Sequence, residues 1–178
     1  MSTPSIGPLF HMIAGAPDPV APFSHAVEQD GWVFLTGQMP FTGTANDSPY
    51  PEGIAAQTHQ VFANLGRVLE GIGLGLEHVL SARVFLLHFD RDYGAMNEVY
   101  QTYFAPGRRP ARTCVGVSGL ARGALIEIDF VARRPTAAPD SAPRIGIGAV
   151  RIPDRAPPTP PGMRVRTGRL EWWRSSGL

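Results

Sequence analysis

Arg109-Pro110-Ala111-Arg112-Thr113-Cys114-Val115-Gly116-Val117 leaves a basic loop and enters an alternating run. Period two puts Ala111, Thr113, Val115 and Val117 on one face and Arg112, Cys114 and Gly116 on the other. The stretch predicts a strand carrying an arginine and the only cysteine of the chain on one side. A second alternating run goes from Ala124 to Ala132. It has Ile126, Ile128 and Phe130 on one face and Leu125, Glu127, Asp129 and Val131 on the other. On adjacent strands, the guanidinium, the thiol and the carboxylate of Glu127 could line one pocket. The plainer alternative is an edge-strand arginine paired with Glu127 on a solvated sheet face. Alternation alone allows both.

The rest of the chain supplies the sheet and its cover. Residues 1–20 are rich in Pro, Gly, Ser and Ala and read as an extended or loosely ordered arm. Phe23 to Glu28 reads as a first strand. Gln29-Asp30-Gly31 is a hairpin turn, and Trp32 to Gln38 is the returning strand, ended by Gly37. Gly37 is either a bulge or a backbone that must come close to a ligand. From Glu52 to Ile72, the residues Ile54, Val61, Phe62, Leu65, Val68, Leu69 and Ile72 recur at threes and fours, which predicts an amphipathic helix. Val79 to Leu87 is a nearly continuous apolar strand, so both of its faces are expected to be covered, one of them by another subunit. A second helix, capped by Asp90 or Asp92, is predicted to run to about Phe104, with Tyr93, Met96, Asn97, Tyr100 and Phe104 along one side. Helices falling between strands predict an α+β fold with the helices on one face of the sheet.

Several motifs together resemble the YjgF/RidA family, the reactive-intermediate imine deaminases. Pro110-Ala111-Arg112-Thr113-Cys114 followed by Ile126-Glu127-Ile128 resembles its signature. Ala21-Pro22-Phe23-Ser24 is similar to its Gly-Pro-Tyr-Ser segment, and Thr36-Gly37-Gln38 to its Ser-Gly-Gln strand end. Gln57-Thr58 with Asn64-Leu65, and Met96-Asn97-Glu98-Val99-Tyr100 with Tyr103-Phe104, resemble its two helices. The likeness spans about residues 17–134. It implies a chorismate-mutase-like sheet with two helices packed on one face, in a homotrimer with pockets in the clefts between subunits. It assigns Arg112 to the substrate carboxylate and Glu127 to positioning water. Asn97, Cys114 and Gly37 become pocket residues. Phe23 departs from the family's tyrosine; losing that hydroxyl makes one wall more apolar and points to a bulkier imino acid.

Composition narrows the chemistry. The chain has 178 residues and a net charge of +1, so nothing global argues for nucleic acid. Residues 1–134 carry nine arginines against twelve acidic residues, whereas 135–178 carry seven against three. The complete absence of lysine excludes a lysine Schiff base and a Walker-type phosphate lysine. One cysteine cannot form an internal disulfide. No apolar run reaches membrane length and no signal peptide is evident, so a cytoplasmic location is expected. His11, His25, His59, His78 and His88 lack metal-ligand spacing, and neither a metal nor a cofactor is expected. His25, near Phe23, is the one histidine to test for a site role. Cys114 reads as a pocket-lining thiol rather than a covalent catalyst.

The expected organisation is an arm over 1–16, a catalytic domain over 17–134 and a flexible tail over 135–178. The tail contains eight prolines and ends in an Arg/Trp-rich segment around Trp172-Trp173. The expected function is hydrolytic deamination of 2-imino or enamine acids. The alternatives are a relative acting on a bulkier imine, or an RNA-associated interaction protein using the tail.

Overall fold

In the computed structural model, residues 7–45 and 47–135 are described; expectations for the 135–178 tail therefore lie almost wholly outside them. Six strands form one mixed sheet. They are β1 (Leu9–His11), β2 (Ala26–Gln29), β3 (Trp32–Gln38), β4 (Val79–Leu86), β5 (Ala111–Gly116) and β6 (Ile126–Arg133), in the order β1-β2-β3-β6-β4-β5. Only β4 and β5 run parallel. A parallel neighbour needs a crossover, and α2 (Phe89–Tyr100) provides it. The longer helix α1 (Ile54–Gly71) joins β3 to β4.

Both helices cover the same face. Val61, Phe62, Leu65, Val68 and Leu69 of α1 and Met96 of α2 are buried against Val33, Leu35, Val84, Leu86, Ile126, Ile128 and Phe130 of the sheet. Phe62 anchors an aromatic cluster: Tyr103 stacks on it at 3.9 Å between centroids, and Tyr100 meets it edge-on at 5.4 Å. Burying this surface, at about 25 cal/mol per Å², is what holds the helices to the sheet. Helix α1 ends where Gly73 takes φ 72° and the Leu74 amide turns back to the Leu69 carbonyl at 2.9 Å.

Three expectations change, and a fourth concerns an assembly. The arm holds strand β1, in which Phe10 pairs with Val27 on β2; three residues between Pro and Gly carry too little period to be seen. The β2 strand starts at Ala26, three residues later than expected. Helix α2 starts after His88 with no side-chain cap, leaving Asp90 and Asp92 in its first turn, and gives way at Gln101 to a short 3₁₀ turn. Within one chain the apolar β4 is covered on one face, where Val84 and Leu86 are buried, while Phe85 on the face expected to meet another subunit is half-buried.

Candidate active site

Strand β5 is an edge strand, and α2 packs beside its inner face. Arg112 pairs with Ala82 of β4, and Cys114 with Val84, so both point to the helix side. There the Arg112 Nη1 donates to Oδ1 of Asn97 at 2.6 Å, and its guanidinium carbon lies 4.7 Å from the centroid of the Tyr100 ring. Asn97 and Tyr100 are three apart on α2 and so share a face. One fixes the azimuth of the arginine fork, and the other gives it an aromatic floor. Arg112, Asn97 and Tyr100 line an open pocket of about 400 Å³ with Gln101, Arg109 and Pro110. Among the described residues, no acidic side chain lines it. Burial pushes the Tyr100 phenol up to about 12, and its buried hydroxyl has no hydrogen-bond partner among the described residues. Burial also raises the Cys114 thiol, an effect that Arg112 opposes. A thiol held neutral in this way is poorly activated as a nucleophile; Cys114 packs against the core and is not among the residues that line this pocket.

Glu127 stands on β6, opposite Phe85 of β4. Its carboxyl is half-buried, and burial, followed by repulsion from Asp129, raises its pKa. That makes it a stronger base than a solvated carboxylate. Asp129 is itself held by Arg83, which donates Nε to Oδ1 at 3.0 Å. The register of β3 shifts between Leu35 and Gln38, which puts Gly37 directly against Glu127. A β-carbon on Gly37 would overlap the Glu127 Oε1 and approach its Cδ to 2.9 Å. Of the two sequence alternatives, Gly37 is thus part of a bulge whose lack of a side chain makes room for the carboxylate. Phe23 lines a small depression with Pro17, Asp18, Val20, Gly37, Gln38, Met39 and Phe41, so its surroundings are mixed rather than wholly apolar.

These groups form two sets, not one. Ile128, Val84 and Cys114 pair across neighbouring strands and face the helices, whereas Glu127, Phe85 and Val115 pair on the bare face. Strand β4 also lies between β5 and β6. Within one chain Arg112 and Glu127 therefore neither share a pocket nor pair, contrary to both readings of the two strands. The reason is non-local: β6 enters the sheet between β3 and β4, and α2 carries β5 to the far edge.

His25 has a structural task. It is buried; its Nδ1 accepts from the Ile13 amide at 2.8 Å, and its other ring nitrogen bonds the Pro17 carbonyl at 2.9 Å. It fastens the segment after β1. Two residues that the sequence reading did not single out for the site belong in this description. Tyr100 is one, legible only from its spacing to Asn97. Tyr50 is the other: its hydroxyl lies 3.4 Å from the Ala121 carbonyl, within electrostatic reach of Glu127. No pattern in the loop 41–51 marks it.

The family model for Endoribonuclease L-PSP, which covers the YjgF/RidA proteins, matches residues 13–134. The chain belongs to this family. It is 33% identical over 117 residues to the 2-iminobutanoate/2-iminopropanoate deaminase of Mus musculus, covering 66% of this chain and 84% of that one. It is 39% identical over 118 residues to the 3-aminoacrylate deaminase RutC of Acinetobacter baylyi, covering 66% and 91%. The crystal structure of the YjgF gene product of E. coli superposes with a TM-score of 0.65 at 26% identity, over 71% of this chain and 99% of that one. Two helices on a mixed sheet are thus the YjgF/RidA fold, as the motifs implied. Members of the family support imine or enamine deamination as its activity. No helix among the described residues is long and apolar enough to cross a membrane.

Proposed function

We propose that this protein hydrolyses 2-imino acids, and enamines that tautomerise to them, to 2-oxo acids and ammonia. Arg112 holds the substrate carboxylate and Glu127 positions the attacking water. The observation that carries the reading is the Arg112 guanidinium, fixed by Asn97 and Tyr100 beside a pocket with no carboxylate of its own. A planar fork pinned through one nitrogen keeps its remaining N–H groups for a two-point grip on a carboxylate. The grip fixes the adjacent C=N carbon, so that water attacks a held rather than a tumbling target. Glu127 accepts a proton as the water oxygen bonds to that carbon and the C=N electron pair moves to nitrogen. Returning the proton to nitrogen gives a carbinolamine; the carboxylate then takes the proton of its hydroxyl and passes it to the same nitrogen, so that the C–N bond breaks to leave a C=O group and ammonia. A carboxylate whose pKa is raised by burial suits both transfers. Cys114 and Gly37 are read as lining this site, and Phe23 as its apolar wall.

The reading includes a homotrimer with sites in the clefts between subunits. Arg112 and Glu127 face opposite ways, so one subunit supplies the arginine half and its neighbour the glutamate half. The bare sheet face exposes Phe34 (54%), Trp32 (41%) and Val115 (40%), a surface suited to burial by another copy. Residues 17–134 form the catalytic body, and 135–178 are an appendage to it.

The test is 2-oxo acid or ammonia release from imines generated in situ by an amino-acid oxidase or threonine dehydratase. Wild type should accelerate release. Arg112→Ala, folded as judged by circular dichroism, should lose about 10²-fold or more in kcat/KM. Wild-type rates in that variant would sink the reading.

A further inference from the structure

The pocket around Arg112 has more donors than one carboxylate can use. Among the described residues, the Arg112 side chain makes a single hydrogen bond, to Asn97. The Tyr100 ring floors the same pocket, with the whole residue 4% exposed. The Gln101 amide stands at the rim, and Arg109 lines the pocket with a second guanidinium. Arg109 has no ion-pair partner among the described residues, and no acidic residue of the same chain lines the pocket beside it. Arg109 precedes Pro110, whose fixed φ limits how far the loop can swing away from the start of β5. A carboxylate accepts at about four lone-pair positions. Two guanidiniums and two amides exceed that need, which leaves the Arg109 donors for a second carboxylate even with the neighbour's Glu127 at the reacting water.

We propose that Arg109 is a specificity-determining residue that binds a second substrate carboxylate, so that the enzyme prefers 2-imino acids derived from dicarboxylic amino acids. The proposal rests on the imine-hydrolysis reading above and names its substrate class. Arg112 takes the carboxylate beside the C=N carbon. Arg109, at the exposed rim, takes the carboxylate at the end of the side chain. The methylenes between them lie beside the Tyr100 ring that floors Arg112. Hydrolysis is unchanged in its balance: water is consumed, ammonia leaves, and a 2-oxo dicarboxylic acid remains.

The experiment compares wild type, Arg109→Gln and Arg109→Lys on the imines of aspartate and glutamate against the imine of alanine. Wild type should favour the dicarboxylic imines. Arg109→Gln should lower the ratio of kcat/KM for dicarboxylic over monocarboxylic imine by about five- to tenfold, mainly through KM, as expected for an exposed charge pair. Arg109→Lys should recover part of the ratio, and added salt should shrink it in wild type. A ratio unchanged in Arg109→Gln overturns the proposal. Calorimetric titration with oxaloacetate and pyruvate gives a second readout that needs no turnover. If no imine is hydrolysed yet oxaloacetate binds more tightly than pyruvate in an Arg109-dependent way, the second anion site stands and the hydrolytic reading falls. Equal binding of the two oxo acids, or a preference indifferent to Arg109→Gln, overturns the site whatever the turnover shows.

Discussion

Gly37→Ala tests the link between backbone and chemistry at its tightest point. The new methyl group would overlap the Glu127 Oε1 and stand 2.9 Å from Cδ and 3.1 Å from Cγ. Carbon atoms rest at about 3.5–4.0 Å, so the carboxylate must retreat by roughly 1 Å. Overpacking of this kind costs about 1–3 kcal/mol, and the lower end applies because the obstructed group is the end of a flexible side chain. Catalysis should suffer more than stability. A displacement of about 1 Å in a water-positioning group costs about 10²-fold in rate. The assay is kcat/KM on an in situ 2-imino acid, beside urea unfolding of Gly37→Ala, Glu127→Ala and the double variant. The methyl should be destabilising in the presence of Glu127 and nearly neutral in its absence, because only then is the space free. A folded Gly37→Ala with wild-type activity refutes the placement of Glu127 at the reacting water. An equal stability loss in both backgrounds refutes the steric reasoning itself.

Asp129→Asn should move the acid limb of the pH profile of kcat/KM to lower pH. Burial is the larger cause of the raised Glu127 pKa, but Asp129 adds to it, so removing that charge lets Glu127 stay ionised further into acid. A limb that does not move means that Glu127 is not the group titrating. Glu28 gives the opposite sign in stability. Arg134 donates Nε and Nη2 to its two carboxylate oxygens at 2.8 and 2.7 Å, and that pair is the main cause of its lowered pKa. Its contribution is present above the usual carboxylate range and is lost as pH falls through the depressed folded value. With Arg134 partly solvated, Glu28→Gln should cost about 1 kcal/mol at neutral pH. It should also flatten the acid side of the stability curve; an unchanged slope in urea unfolding between pH 6 and 3 would contradict this.

The sequence made the local elements legible because each has a period or a punctuator. Val61 to Leu69 spelled out α1, Asp30-Gly31 marked the hairpin, and the alternation around Arg112 and Glu127 assigned each residue to the correct side of its own strand. What alternation cannot give is strand order. β5 and β6 are consecutive in the chain but separated by β4 in the sheet, and that separation divides the candidate site. The parallel partner of β5 was in principle readable from the helix that precedes it, since a β-α-β unit places its strands in one sheet. The insertion of β6 between β3 and β4 depends on contacts far apart in sequence. The apolar β4 was read as needing cover on both faces. Its bare face still exposes part of Phe85, so that expectation now belongs to the proposed assembly. The unpaired hydroxyl of Tyr100 needed coordinates, because a tyrosine on an apolar helix face reads as core.

The measurement that most directly tests the account is complementation between Arg112→Ala and Glu127→Ala. Each variant alone should be inactive on a 2-imino acid. Co-expressed or refolded together in equal amounts, they should regain about a quarter of the wild-type sites, the random fraction of clefts that pair an intact arginine half with an intact glutamate half. Activity in the mixture that stays at the floor of the two single variants would contradict a site shared between subunits.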